Sequence, residues 1–308
     1  MLSKLGKIGV ALTAVGTSFA LGANYGEFKD TLLPLRRIEA ASMPDGAVPL
    51  GSLTLGQPSL ISPKSRASEI MQLGFPGFDN LRTFEDFVLS YDRRNRTAHW
   101  VVEHLTPDRM VYDKSVDRGK CAFRPDDSVH DYFRSKNEDY KGSGYDRGHL
   151  AAAGNHRRTQ IAVDQTFLLS NMAPQVGRGF NRDKWNDLEK RVRGLARKHP
   201  NVFICTGPLY LPRMEPDGSM YVKYKVIGKT HVSVPTHFFK VMLMEVDGGK
   251  YDMEAYVLPN QAIPNETPLA SFQVPIASIE RAAGFLIFDQ LPKNKLRLVN
   301  GQKAGSLW

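Results

Sequence analysis

The chain has 308 residues, with 41 Lys and Arg against 32 Asp and Glu, 42% hydrophobic residues, 10% aromatic residues and 2 cysteines. That is ample for a proper core and excludes global disorder. Two cysteines outside any C-x-x-C pair exclude both a disulfide scaffold and a thiolate zinc cluster. The net charge of +9 points to an anionic partner without separating nucleic acid from a membrane surface.

Residues 1–26 carry Lys4 and Lys7 and no acid before Glu27. The apolar run Ile8–Ala23 is 16 residues long, short of the roughly 20 a membrane span needs. A basic start and a short apolar middle describe a secretory signal. They describe a mitochondrial presequence or inner-membrane anchor equally well. Residues 27–75, rich in Pro, Gly and Ser, read as a flexible connector, and 76–308 as one folded domain. Phe87–Tyr91 and Ala98–Leu105 predict a hairpin around the basic turn Asp92–Arg96. Phe167–Asn171 is a short apolar run. Asn181–His199 is the best helix in the chain, with Trp185, Leu188, Val192, Leu195 and Ala196 forming one stripe. Val202–Thr206, Tyr221–Val226, Thr236–Met244 and Tyr251–Leu258 read as strands, Ile276–Ala283 as a short helix and Gly284–Phe288 as a last strand. Strands so close together, without helices between them, favour antiparallel pairing. The fold class is α+β, a central antiparallel sheet flanked by helices.

The charge is concentrated. From Lys141 to His199 there are 12 basic and 5 acidic residues, an arrangement that suits either a solvated helix face or a polyanion site. Within this region, Tyr145-Asp146-Arg147-Gly148-His149-Leu150 packs an acid, a guanidinium and an imidazole into four positions. On a strand, Arg147 and His149 share a face. The neighbouring positive charge disfavours imidazolium, leaving a neutral ring that can take a proton at pH 7. The bland alternative is a turn held by Asp146. Asn181 sits where an N-cap is expected, which alone would explain an Asn there. Steps of four place Asn181, Trp185, Glu189 and Arg193 along one side of the helix. An amide oxygen near a carboxylate suits a hard cation that keeps its waters, as Mg²⁺ does, although Glu189 alone would more often pair with Arg193 on the surface.

Asp146-Arg147-Gly148-His149, then Ser170-Asn171-x-x-Pro174-Gln175, then Asn181-x-x-x-Trp185-x-x-Leu188-Glu189 resemble the DNA/RNA non-specific endonucleases of the ββα-metal finger superfamily. The segments Leu89–Arg94, Trp100–Leu105 and Cys205–Tyr210 extend the likeness to its mitochondrial branch, over roughly residues 75–290.

The resemblance implies a ββα-metal active site with His149 as general base and Asn181 as the single protein ligand to Mg²⁺, with Mn²⁺ as substitute. Arg147 and Arg193 would contact phosphate, while Glu189 and Asn171 would order metal-bound water and the surrounding loop. Substrates would be double- and single-stranded DNA and RNA, cut to 5′-phosphate and 3′-hydroxyl ends. It also implies a homodimer, a mitochondrial location with an N-terminal contact to the inner membrane, and release to the nucleus to fragment DNA in apoptosis. Two alternatives stand beside it. One is a secreted scavenging nuclease, favoured slightly by the sequons at Asn95 and Asn265. The other is a binding protein that keeps the fold without cleaving.

Overall fold

Asp92 closes the first hairpin by accepting hydrogen bonds from the backbone N–H groups of Arg94 at 2.8 Å and Asn95 at 3.1 Å. Arg96, at a φ of 58°, completes the reversal. A computed structural model describes residues 65–304; the expected targeting segment, and the connector up to residue 64, lie outside the described residues. The described chain begins with helix α1 (Arg66–Ile70), capped by the Ser65 hydroxyl. Ile70, Met71 and Leu73 are buried in the core. The connector expected to run to residue 75 is therefore too long by about ten residues, because an apolar helix face at its end anchors the chain.

Fourteen strands follow among the described residues: β1 (Leu81–Thr83), β2 (Phe87–Asp92), β3 (Thr97–Leu105), β4 (Tyr145–His149), β5 (Met172–Val176), β6 (Val202–Leu209), β7 (Arg213–Met214), β8 (Met220–Tyr221), β9 (Val226–Ile227), β10 (Val232–Ser233), β11 (His237–Val246), β12 (Lys250–Pro259), β13 (Leu296–Val299) and β14 (Gln302–Lys303). Interspersed with them are helices α2 (Asn137–Tyr140), α3 (Gln160–Thr166), α4 (Trp185–Ala196) and α5 (Ile276–Ala283). Eight strands form the main sheet in the order β1-β2-β3-β6-β11-β12-β13-β14. All its pairings are antiparallel except β12 with β13. That one parallel pair departs from the expected antiparallel sheet. The chain leaves β12, forms α5 and returns as β13, the crossover a parallel neighbour requires.

The central strands are apolar on both faces because both are covered. On one face Leu89, Val101, Ile204, Phe238 and Met242 pack against Trp185, Leu188, Val192 and Ala196 of α4. On the other, Val88, Val102, Phe203, Phe239 and Val241 pack against α5 and α1. Alternation along β3, β6 and β11 thus sorts side chains between two cores.

Two expected strands differ, and the short apolar run at Phe167–Asn171 is not itself a strand. Phe167–Asn171 ends in a 3-10 turn, Leu169–Asn171, and the strand is the Met172–Val176 segment after it. Tyr221–Val226 is exposed along its whole length, so no buried face fixes a register, and only the short β8 and β9 form. Gly284–Phe288 is not a strand. Gly284 ends α5 at a φ of 80°, and the Ile287 N–H is donated to Glu280 Oε1 at 3.0 Å instead of to a neighbouring strand.

Candidate active site

β4 pairs antiparallel with β5, placing Tyr145 opposite Val176 and His149 opposite Met172. Gly148 allows the ribbon to close: a Cβ there would fall 2.0 Å from Gln175 Oε1. After β5 the chain turns at Gly179, whose φ of 83° and close approach to Ala262 admit no side chain. Beyond that kink the backbone winds into α4. Two antiparallel strands and a helix are thereby held together by the buried Phe180 and Trp185, whose rings lie 5.6 Å apart. The stripe expected on this helix is the face that packs on the sheet, with Leu195 partly buried beside it.

His149, Arg147, Asn181, Glu189 and Arg193 line one cleft of about 720 Å³, together with Arg118. Arg147 and His149 do share a face of β4. The Arg147 guanidinium stacks 4.3 Å from the Phe123 ring centre, and the His149 ring lies 5.7 Å from the same ring and 4.9 Å from Phe167. Arg147 also donates to Asn137 Oδ1 at 2.7 Å. Burial among these rings, and then the positive charges of Arg118 and His156, push the His149 pKa down to about 3. The ring is therefore neutral through the physiological range. Burial dominates, and the leading cation is Arg118, 31 residues away in sequence, rather than the expected Arg147. His149 Nε2 is buried without a hydrogen-bond partner.

Asn171 is not in the cleft. It is fully buried. Its Oδ1 accepts from Ala151 N–H at 2.9 Å, and its Nδ2 donates to the carbonyls of Ala151 at 3.0 Å and Thr166 at 2.9 Å. With these bonds made, the side chain clamps the segment that follows His149.

Asn181 does not cap the helix. Its Nδ2 donates to Asp146 Oδ2 at 3.0 Å. Arg182 grips the same carboxylate through Nε at 2.8 Å and Nη2 at 2.6 Å. The Arg182 hydrogen bond, against a partial burial penalty, holds Asp146 below the usual carboxylate range. An ionised carboxylate accepts only, so the amide nitrogen must face it. The amide oxygen of Asn181 is left uncommitted on the cleft wall. Among the described residues no group of three or more His, Cys, Asp and Glu is placed to hold a metal. A cation here would rest on that oxygen and on water, a donor set that suits a hard divalent ion. Glu189 is 3.9 Å from Arg193. Burial raises its carboxyl pKa, while Lys240 and Arg193 oppose the rise.

Asp146 reads from sequence as a turn residue, and its role as the clasp of Asn181 needed the register of β4 against the helix start. Cys121 and Cys205 are both free. Burial raises the Cys121 thiol to about 11, with Asp164 adding to the rise, and pushes Cys205 higher still. They are thiols and not thiolates.

A family profile described as DNA/RNA non-specific endonuclease matches residues 66–294. The chain belongs to this family. It is an endonuclease, a hydrolase of phosphodiester bonds. It is 50% identical over 315 aligned positions to the mitochondrial endonuclease G of Caenorhabditis elegans, covering 99% of this chain and 100% of that one. It is 56% identical over 223 residues to the mitochondrial endonuclease G of Homo sapiens, covering 72% of this chain and 74% of its relative. A crystal structure of an EndoG/EndoGI complex, described as showing the mechanism of EndoG inhibition, contains a chain that is 57% identical. It superposes with a TM-score of 0.78 over 79% of this chain and 100% of that one.

Proposed function

We propose that this nuclease cleaves both DNA and RNA with His149 as general base and one Mg²⁺ held by Asn181. The observation that carries the reading is the neutral His149 ring in a cleft whose other walls bear Arg147, Arg193 and an uncommitted amide oxygen. With Nε2 buried, Nδ1 is the nitrogen open to the cleft. It takes the proton of a water as that water attacks phosphorus. An incoming phosphate brings negative charge that raises the proton affinity of the ring above its value in the empty cleft, towards the range a base needs. Arg147 and Arg193 bind the phosphoryl oxygens and stabilise the charge that gathers on them. Asn181 would hold the Mg²⁺, which would supply charge neutralisation at the phosphate and at the leaving 3′ oxygen. Glu189, beside Arg193, orders water at the site. Contacts of this kind read phosphate and not bases, which accounts for indifference to sugar and sequence.

The reading extends to place and assembly. The match to the nematode relative, named mitochondrial, runs through the N-terminal residues, which supports residues 1–26 as a mitochondrial address in contact with the inner membrane. The secreted alternative loses its first sequon: Asn95 Nδ2 is donated to Asp92 at 2.6 Å and Thr97 is fully buried. A homodimer and release to the nucleus during apoptosis complete the proposal. The direct test is incubation of plasmid and of RNA with Mg²⁺, with Mn²⁺ and with chelator. Cleavage of both polymers with either metal, and of neither with chelator, is expected; activity that survives chelation would refute the metal. A fusion of residues 1–40 to a fluorescent protein should enter mitochondria; entry into the secretory pathway would favour the scavenging nuclease.

A further inference from the structure

The 3-10 turn Ala153–Asn155 begins four residues after His149, and α4 brings Arg193 over it. A Cβ on Gly154 would stand 3.0 Å from Arg193 Nη1 and 3.3 Å from its Cζ, so the guanidinium lies flat on a glycine floor. The same Nη1 donates to Asn155 Oδ1 at 3.3 Å. Asn155 is itself buried, and its Nδ2 donates to Glu103 Oε1 at 2.9 Å. Glu103, on β3, is fully buried. An ionised carboxylate can only accept, so it fixes which way the Asn155 amide faces and turns the amide oxygen towards the arginine. The neighbouring His156 donates to the same Oε1 at 2.8 Å. Tyr112 holds the turn by donating to the Gly154 carbonyl at 3.1 Å.

We propose that Asn155, oriented by Glu103, and Gly154 form a built seat that aims the Arg193 guanidinium at the scissile phosphate, making both positioning residues for the cleavage reaction. The proposal rests on the reading of Arg193 as a phosphate contact. A phosphate-binding arginine works through a planar fork whose direction matters as much as its charge. A free side chain would spread that fork over several rotamers. The seat removes this freedom without contacting the substrate, and the strand of His149 leads directly into it. Base and phosphate clamp therefore share one reference frame.

A double-mutant cycle on kcat/KM for plasmid cleavage, with thermal unfolding of each variant, tests this. Arg193→Ala should lower kcat/KM on the order of 10- to 100-fold. Asn155→Ala should lower it roughly 10-fold in the wild-type background and leave it unchanged when Arg193 is already Ala, the coupling expected of a residue acting through another. Equal losses in both backgrounds, or no loss in the first, would overturn the seat. If Arg193→Ala leaves activity intact, the phosphate reading of Arg193 fails first, and the seat has no function to serve. Should Asn155→Ala fold poorly, Gly154→Ala serves instead. It leaves the Asn155–Glu103 bond in place and displaces the guanidinium from its floor and from Asn155 Oδ1, and a loss of several-fold that vanishes with Arg193→Ala is required of it.

Discussion

Replacement of Asp146 by Ala removes the group that fixes the Asn181 amide while leaving Asn181 in place. The carboxylate is gripped from the other side by Arg182, whose side chain is 68% exposed, so loss of that solvent-screened ion pair alone should cost little. The Asn181 bond is different in kind. A hydrogen bond to a charged group is worth about 1.5–3 kcal/mol, and partial exposure of Asp146 puts this one at the lower end. Without it the amide is free to turn its nitrogen towards the cation position. A bias of about 1.4 kcal/mol is tenfold in an equilibrium constant, and outer partners of metal ligands typically control affinity by 10- to 100-fold. The Mg²⁺ concentration for half-maximal cleavage should therefore rise about tenfold, with the maximal rate largely recovered at saturation and the melting temperature lowered by a few degrees. Asp146→Asn, which can still offer an oxygen, should fall between. Rate measured against Mg²⁺ concentration reads this directly. An unchanged half-saturation point would refute the clasp, and with it the argument for which amide atom faces the cation.

Asn181→Ala should abolish cleavage at ordinary Mg²⁺ and regain part of it at high Mg²⁺. Because the side chain caps no backbone N–H, its cost in urea stability should be only that of the lost bond to Asp146 and should vanish when Asp146 is already Ala; a further loss of about 1 kcal/mol in that background would restore the capping role. Burial works against protonation of His156, but the carboxylates of Asp86 and Glu103 overcome it and raise the pKa to about 9. Against an unfolded value of 6.5, this corresponds to a contribution of up to about 3 kcal/mol. It is complete below about pH 6.5 and is lost as the pH rises through about 9. Urea unfolding of wild type and His156→Gln across that window should show the difference between them shrinking with pH; a constant difference would mean that His156 is neutral.

Much of the site was legible because it lies in short contiguous runs. The alternation that pairs Arg147 with His149 and the stripe from Trp185 to Ala196 are local consequences of strand and helix geometry, and a sequence displays them directly. What stayed hidden depends on segments far apart in the chain. Arg118 presses on His149 from a separate turn, and Glu103 reaches Asn155 from the middle of the sheet. Asn171 and Asn181 show the limit most clearly. Both are asparagines in motif positions, yet one spends all its hydrogen bonds on backbone and the other keeps its oxygen free. Residue type and spacing alone do not distinguish those fates; only the partners in space do. The strand misread at Gly284–Phe288 has the same origin, since an apolar run can bury its side chains from an irregular loop as well as from a sheet.

The central claim is that His149 acts on water while the basic cleft does the binding. The measurement that bears on it most directly pairs single-turnover plasmid cleavage with plasmid affinity in chelator, for wild type and His149→Ala. Cleavage should fall on the order of 10²- to 10⁴-fold, the span attributed to a positioned general base, with affinity changed by no more than about twofold, because phosphate contacts dominate binding. Near-wild-type turnover by the alanine variant, with affinity intact, would contradict the account.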